Sequence, residues 1–207
     1  MSAVDKSLKK LFLNVRQHLL KSKLGRAGKH LQFDRGIRFE QPRQITLEDG
    51  VRIGRHALLR ANTKFRISIG EAASILEDTM LTANGGEIHI GARSWVGAGS
   101  YLYGNGGIHI GADVLIAART VINTVSHNYA DRTCTINSQG LNTAPVIIED
   151  DVWIGLNCTI LQGVTIGRGA IVGAGTLVNC DIPAYSIAVG TPARIIGTRP
   201  GLEALAA

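Results

Sequence analysis

Aromatic residues make up only 5% of this 207-residue chain, and methionine, cysteine and proline number two, three and five. With so few rings, the core must be built from Ile, Val, Leu and Ala, which dominate a hydrophobic fraction of 45%. Cys134, Cys158 and Cys180 have neither the even number nor the density of a disulfide framework, and no C-x-x-C pair marks a zinc site. They read as reduced thiols. No apolar run reaches the roughly 18 residues that a membrane-spanning helix needs. The first residues lack the apolar core and small-residue cleavage site of a secretory signal, so a cytoplasmic location is expected. Acidic residues are scarce at the start. Residues 1–43 carry eleven Lys or Arg against three Asp or Glu, whereas 44–207 carry eleven against thirteen. The net charge of +6 therefore belongs to the N-terminal segment, which argues against a nucleic-acid-binding face on the remainder.

Glycine is plentiful, at 25 residues, and from residue 45 it joins a rhythm. An aliphatic residue recurs every six positions: Leu47, Ile53, Leu59; Ile69, Ile75, Leu81; Ile90, Val96, Leu102; Ile110, Ile116, Ile122; Ile148, Ile154, Ile160; Ile166, Val172, Val178. The fifth residue of the hexad is mostly small, as at Ala57, Thr63, Ala73, Ser94, Thr120 and Ala170, with Cys158 the nearest exception. Glycine often follows the aliphatic residue, as at Gly54, Gly97 and Gly155. One hexad is a short strand plus a turn, whose inward side chains are the aliphatic residue and the small residue two before it. Three hexads make a triangular coil, and each coil buries its apolar interior only by stacking on its neighbours. The rhythm predicts an all-β parallel β-helix over 45–197, with a short tail at 198–207.

Ahead of it, residues 1–44 form a basic entry segment. Leu8, Leu11, Phe12, Val15, Leu19 and Leu20 fall at steps of three and four, so Asp5 to Leu24 reads as an amphipathic helix. It either packs on its own domain or makes a peripheral contact with an anionic membrane face.

The coils are interrupted once. After T-V-I-N-T-V-S-H at 120–127, about twenty residues leave the repeat before P-V-I-I at 145–148, giving a protruding loop over 128–145. An excursion of that length inside a regular fold is usually functional. His127 stands at its root, where a side chain can leave the prism for a cleft.

The stretches V-L-I-A-A-R-T-V-I-N-T-V-S-H at 114–127, D-V-W-I-G-L-N-C-T-I-L-Q-G-V-T-I-G at 151–167 and D-I-P-A-Y-S-I-A-V-G-T-P-A-R at 181–194 resemble the hexapeptide-repeat acyltransferases. The resemblance is to the maltose and galactoside O-acetyltransferase group, with a loop more like members acting on polysaccharide or capsule sugars. It implies a left-handed coil, an exception to right-handed crossovers. It also implies a homotrimer with active sites between prisms, acetyl-CoA as acyl donor, a sugar or glycan acceptor, and His127 as general base. An imidazole can take the proton of an otherwise poorly nucleophilic hydroxyl. The same resemblance makes Trp153, Gly155, Ala174, Arg168 and Arg194 candidates for the coenzyme. Gly155 and Ala174 would let the pantetheine arm approach the backbone, and the arginines would meet phosphates. Tyr103, Asn105, Asn128, Asp131 and Gln139 are acceptor-side candidates, and Asp131 is also a candidate to orient His127. Two departures stand out. Asn179-Cys180 replaces a Thr-Lys pair common in the family, and Gly97 occupies the position of an acceptor-binding asparagine.

Other readings stay open: N-acylation of an amino sugar, acetylation of an antibiotic, a metalloenzyme like the γ-type carbonic anhydrases, or a noncatalytic scaffold. His89 and His109 stand one coil apart, but the ligand pair five residues apart that a zinc site of that type requires is missing near His127. The main expectation therefore calls for no metal.

Overall fold

A computed structural model describes residue 15 and residues 17–201. The chain winds as a left-handed parallel β-helix of about seven turns. Its three sides are sheets of seven, nine and seven strands, parallel except for the last strand of the nine-stranded sheet. Within the fifth coil, for example, Ile108–Ile110 lies in the first sheet, Leu115–Ile116 in the second and Val121–Asn123 in the third. Strands of two or three residues suffice because each backbone N–H bonds to the coil above, as Gly97 N does to Ile116 O at 2.8 Å.

All eighteen rhythm-setting aliphatic residues are buried, none more than 2% exposed. Each such side chain contributes roughly 1.5–3 kcal/mol of burial. The small positions point inward as well, and their hydroxyls reach the next coil's carbonyls. Ser94 Oγ donates to Gly111 O at 2.7 Å, and Thr79 Oγ1 donates to Gly97 O at 3.2 Å. These bonds satisfy polar groups that the core would otherwise strand.

Three expectations shift. Thr63 is exposed, because residues 62–66 form an irregular corner and the inward residue two before Ile69 is Ile67. On the first sheet that slot is filled by large residues, Ile45, Ile67, Ile88, Ile108 and Val146, all buried. The coils also begin upstream of residue 45. Arg26–Ala27, Gln32–Phe33 and Arg38–Glu40 pair in register with the strands of the next coil. At the other end, Arg194–Thr198 folds back antiparallel on Ser186–Val189, across the expected boundary with the tail.

Residues 17–23 are helical. Leu20 and Leu24 pack on the first coil, while Val15 and Leu19 are exposed. Leu8, Leu11 and Phe12 lie outside the described residues. No helix among the described residues is long and apolar enough to cross a membrane.

His89 and His109 stack in register on the outer surface of the first sheet. Ser68 Oγ lies 3.0 Å from His89 Nδ1. Loss of hydration against the sheet, and secondarily the neighbouring His109, lower the pKa of His89. In the unfolded chain this imidazole would protonate near ~6.5, whereas in the fold it resists. The unfolded state then binds more protons in that window, so stability falls as pH drops below about 6.5. A series of thermal melts should show this decline, and His89→Gln should flatten it.

Candidate active site

The long excursion is a hairpin. Val125–His127 pairs antiparallel with Leu141–Thr143, and a 3₁₀ turn at Ile136–Gln139 lies between them. Its root is fixed by Thr124, which is fully buried. Thr124 Oγ1 donates to Tyr103 O at 2.7 Å and accepts from Gly106 N at 2.8 Å. On the far side, Gln162 Nε2 donates to Ser126 Oγ at 3.0 Å, tying the hairpin to the following coil. These bonds hold His127 at a defined place beside the third sheet.

His127 is exposed and lines two depressions. Among the described residues, no side-chain hydrogen bond or ion pair holds its imidazole. The first depression is a cleft of about 640 Å³ on the third sheet, whose lining includes Tyr101, Tyr103, Asn105, Asn123 and Leu161. Two acceptor-side candidates, Tyr103 and Asn105, are thus brought to His127. The second depression, about 720 Å³, is walled by the hairpin and includes Asn128, Asp131, Cys134 and Gln139.

Asn128, Asp131 and Gln139 are occupied in building that hairpin. Asn128 Nδ2 donates to Gln139 O at 3.0 Å. Gln139 Nε2 donates to Asp131 O at 2.9 Å, and its Oε1 accepts from Asp131 N at 3.0 Å. The Asp131 carboxylate accepts from the Thr133 hydroxyl and amide at 2.6 and 2.8 Å. Those bonds, the hydroxyl's first, hold its pKa below the usual carboxylate range. Asp131 therefore shapes a turn and makes no hydrogen bond to His127.

The coenzyme candidates do not gather around His127. Trp153 projects from the second sheet, 53% exposed. It lies in a depression of about 330 Å³ with Asp113, Leu115, Asp151, Ile171 and Arg199. The arginine beside Trp153 is Arg199, 2.7 Å from Asp151, rather than the exposed Arg168 or Arg194. Gly155 is buried, and a Cβ there would meet Ala174 N at 2.6 Å. Close stacking of coils accounts for that glycine, and only Ala174 of the pair is exposed.

Asn123, Gln162 and Thr124 were missed from sequence. Asn123 had a readable signal: it follows the aliphatic Ile122 as Tyr103 follows Leu102, so the hexad alignment stacks the two side by side.

The sequence model of the hexapeptide repeat of succinyl-transferase matches residues 87–123 and 145–180. A protein of Mycobacterium tuberculosis named a probable acetyltransferase is 35% identical over 134 residues, covering 65% of this chain and 45% of that relative. The chain thus spans less than half the length of that relative. Among solved structures, AntD, an N-acyltransferase from Bacillus cereus in complex with dTDP and coenzyme A, superposes with a TM-score of 0.64 at 24% identity, covering 89% of each chain. The polySia-specific acetyltransferase NeuO superposes with a TM-score of 0.63 at 24% identity, covering 84% of this chain and 77% of its own. Repeat, sheets and protruding hairpin together define a hexapeptide-repeat β-helix protein. Over residues 87–123 and 145–180 the chain carries the hexapeptide repeat, and it is similar in sequence and fold to proteins named acetyl- and acyltransferases.

Thr124→Val keeps the shape of the side chain and removes both bonds at the hairpin root. A buried N–H left unpaired costs about 1–3 kcal/mol. Hydrogen exchange at the Gly106 amide should accelerate accordingly, while amides of the first coils keep their protection.

Proposed function

We propose that this protein transfers an acetyl group from acetyl-CoA to a hydroxyl of a sugar or glycan, with His127 as general base. The observation that carries the reading is the placement of His127. A rigid hairpin root presents an imidazole, free of other partners, to a cleft large enough for a sugar ring. In the proposed step, His127 takes the proton of the acceptor hydroxyl as its oxygen forms the ester bond to the acyl carbon. The carbon–sulfur bond breaks, and His127 returns the proton to the departing thiolate. No acyl-enzyme intermediate is required. Cys158 is buried, and burial pushes its thiol pKa up.

Ala174, Arg168, Arg194 and Trp153 are exposed and available to the coenzyme, whereas Gly155 would act only by allowing close stacking. Trp153 and His127 lie on different sides of one prism. A site that uses both draws them from two copies, which supports the homotrimer. Trp95, Leu115 and Trp153 form an outward ladder on the second sheet, 48–53% exposed, which a neighbouring copy would cover. The basic segment at the start of the chain supports a peripheral contact with an anionic membrane surface in a polysaccharide-building pathway.

N-acylation of an amino sugar is the second reading, favoured by the likeness to AntD. An acceptor screen with hydroxyl and amino sugars, monitored by release of free thiol, distinguishes the two. In that assay His127→Ala should lower transfer by about 10²–10⁴-fold, while coenzyme A titration of the variant matches wild type. A variant that keeps its turnover removes His127 from the mechanism.

A further inference from the structure

We propose that Asn123, assisted by Asn105, determines acceptor specificity. Together they select a ring that offers uncharged hydrogen-bond donors over one that carries a carboxylate or phosphate at the same place. The inference rests on the acceptor using the third-sheet cleft, as in the reading above.

The orientation of the Asn123 carboxamide is fixed by chemistry. Its Nδ2 donates to Val125 O at 2.9 Å, and a backbone carbonyl can only accept. The other end of the group is therefore the oxygen. Asn123 Oδ1 is buried without a partner, although its residue lines the cleft. Asn105 Oδ1 is in the same condition, in the same cleft. The two segments are clasped together through Thr124, which follows Asn123 directly and accepts from Gly106 N beside Asn105. A buried acceptor without a donor is costly, and two at one cleft create a demand that a ligand can meet.

The rest of the lining restricts which ligand that is. No lysine or arginine lines the cleft among the described residues. Tyr101 and Tyr103 lie with ring centroids 5.5 Å apart and tilted by 50°, offering aromatic faces to the C–H side of a ring. A hydroxyl can donate to Asn123 Oδ1. A carboxylate or phosphate would set acceptor against acceptor, with no lysine or arginine in the lining to offset it. Sites that hydrogen-bond a substrate group discriminate strongly against analogues that leave the site unpaired.

The test is binding, which does not depend on turnover. Calorimetry on the full chain compares a methyl hexoside, the matching methyl uronate and the matching 2-amino-2-deoxy hexoside. Wild type should bind the neutral hexoside at least about tenfold tighter than the uronate. Asn123→Ala should weaken hexoside binding by roughly 5- to 100-fold. Asn123→Asp keeps an accepting oxygen but loses the donor to Val125. It should hold the hexoside within a few-fold of wild type and gain affinity for the ammonium-bearing sugar. In His127→Ala the preference for the hexoside over the uronate should persist even where both affinities fall, so loss of transfer and loss of selection are separable. The proposal is overturned by any of four results: no glycoside binds wild type, the uronate binds equally well, Asn123→Ala binds unchanged, or Asn123→Asp is as weak as Asn123→Ala. The last would mean that the strut to Val125, rather than the free oxygen, is what matters.

Discussion

Everything in this molecule depends on the backbone hydrogen bond from each coil to the next. Bonds such as Ile147 N to Val164 O and Trp153 N to Ala170 O hold each strand in register with its successor. That register forces equivalent residues into columns. Inside, the columns are aliphatic and small residues. At the corners they include residues in the left-handed region, such as Asp113, Arg119, Asp151 and Asn157. Each would be unfavourable alone, and each is imposed by the coils around it. The same constraint leaves no room for a side chain at Gly155 or Gly97, whose Cβ would collide with backbone of the next coil.

A framework this regular makes an exception chemically useful. Strand geometry alternates side chains in and out, so most outward residues stand on flat sheets. Where the chain leaves the columns, as at Thr124, a side chain can overhang a face. The hairpin uses that departure to suspend His127 over the aromatic and amide lining of the third sheet. The buried threonine at its root and the Ser126–Gln162 bond anchor it from both sides. Loops carry function when a rigid scaffold positions them, and here the scaffold and the loop root share hydrogen bonds.

The interior was legible in the sequence because period six is a one-dimensional property, visible in Ile110, Ile116 and Ile122 without any knowledge of contacts. The first coil was not, because its hexad positions hold Ala27, Phe33 and Phe39, in register with Leu47, Ile53 and Leu59, in place of the large aliphatic residues that mark the later coils. Leu31 and Ile37 fill the slots two before Phe33 and Phe39, where the second and third sheets of later coils mostly carry small residues. In the candidate site, His127 could be named from its place at the loop root, and Tyr103 and Asn105 from the resemblance to the hexapeptide-repeat acyltransferases. The role of Asp131 could not be read, because its choice of Thr133 over His127 depends on the turn within the hairpin. Nor could the separation of Trp153 from His127, which requires knowing that 153 and 127 fall on different sides of the prism.

Cys158 faces the interior at 1% exposure, with its Sγ 3.1 Å from Gly173 O, while Cys134 and Cys180 stand at the surface. Alkylating reagents therefore meet two thiols in the intact protein and a third only when the wall between neighbouring coils parts. The chain carries its own gauge of breathing: modification at Cys158 counts openings between its own coil and the next, without any label being added.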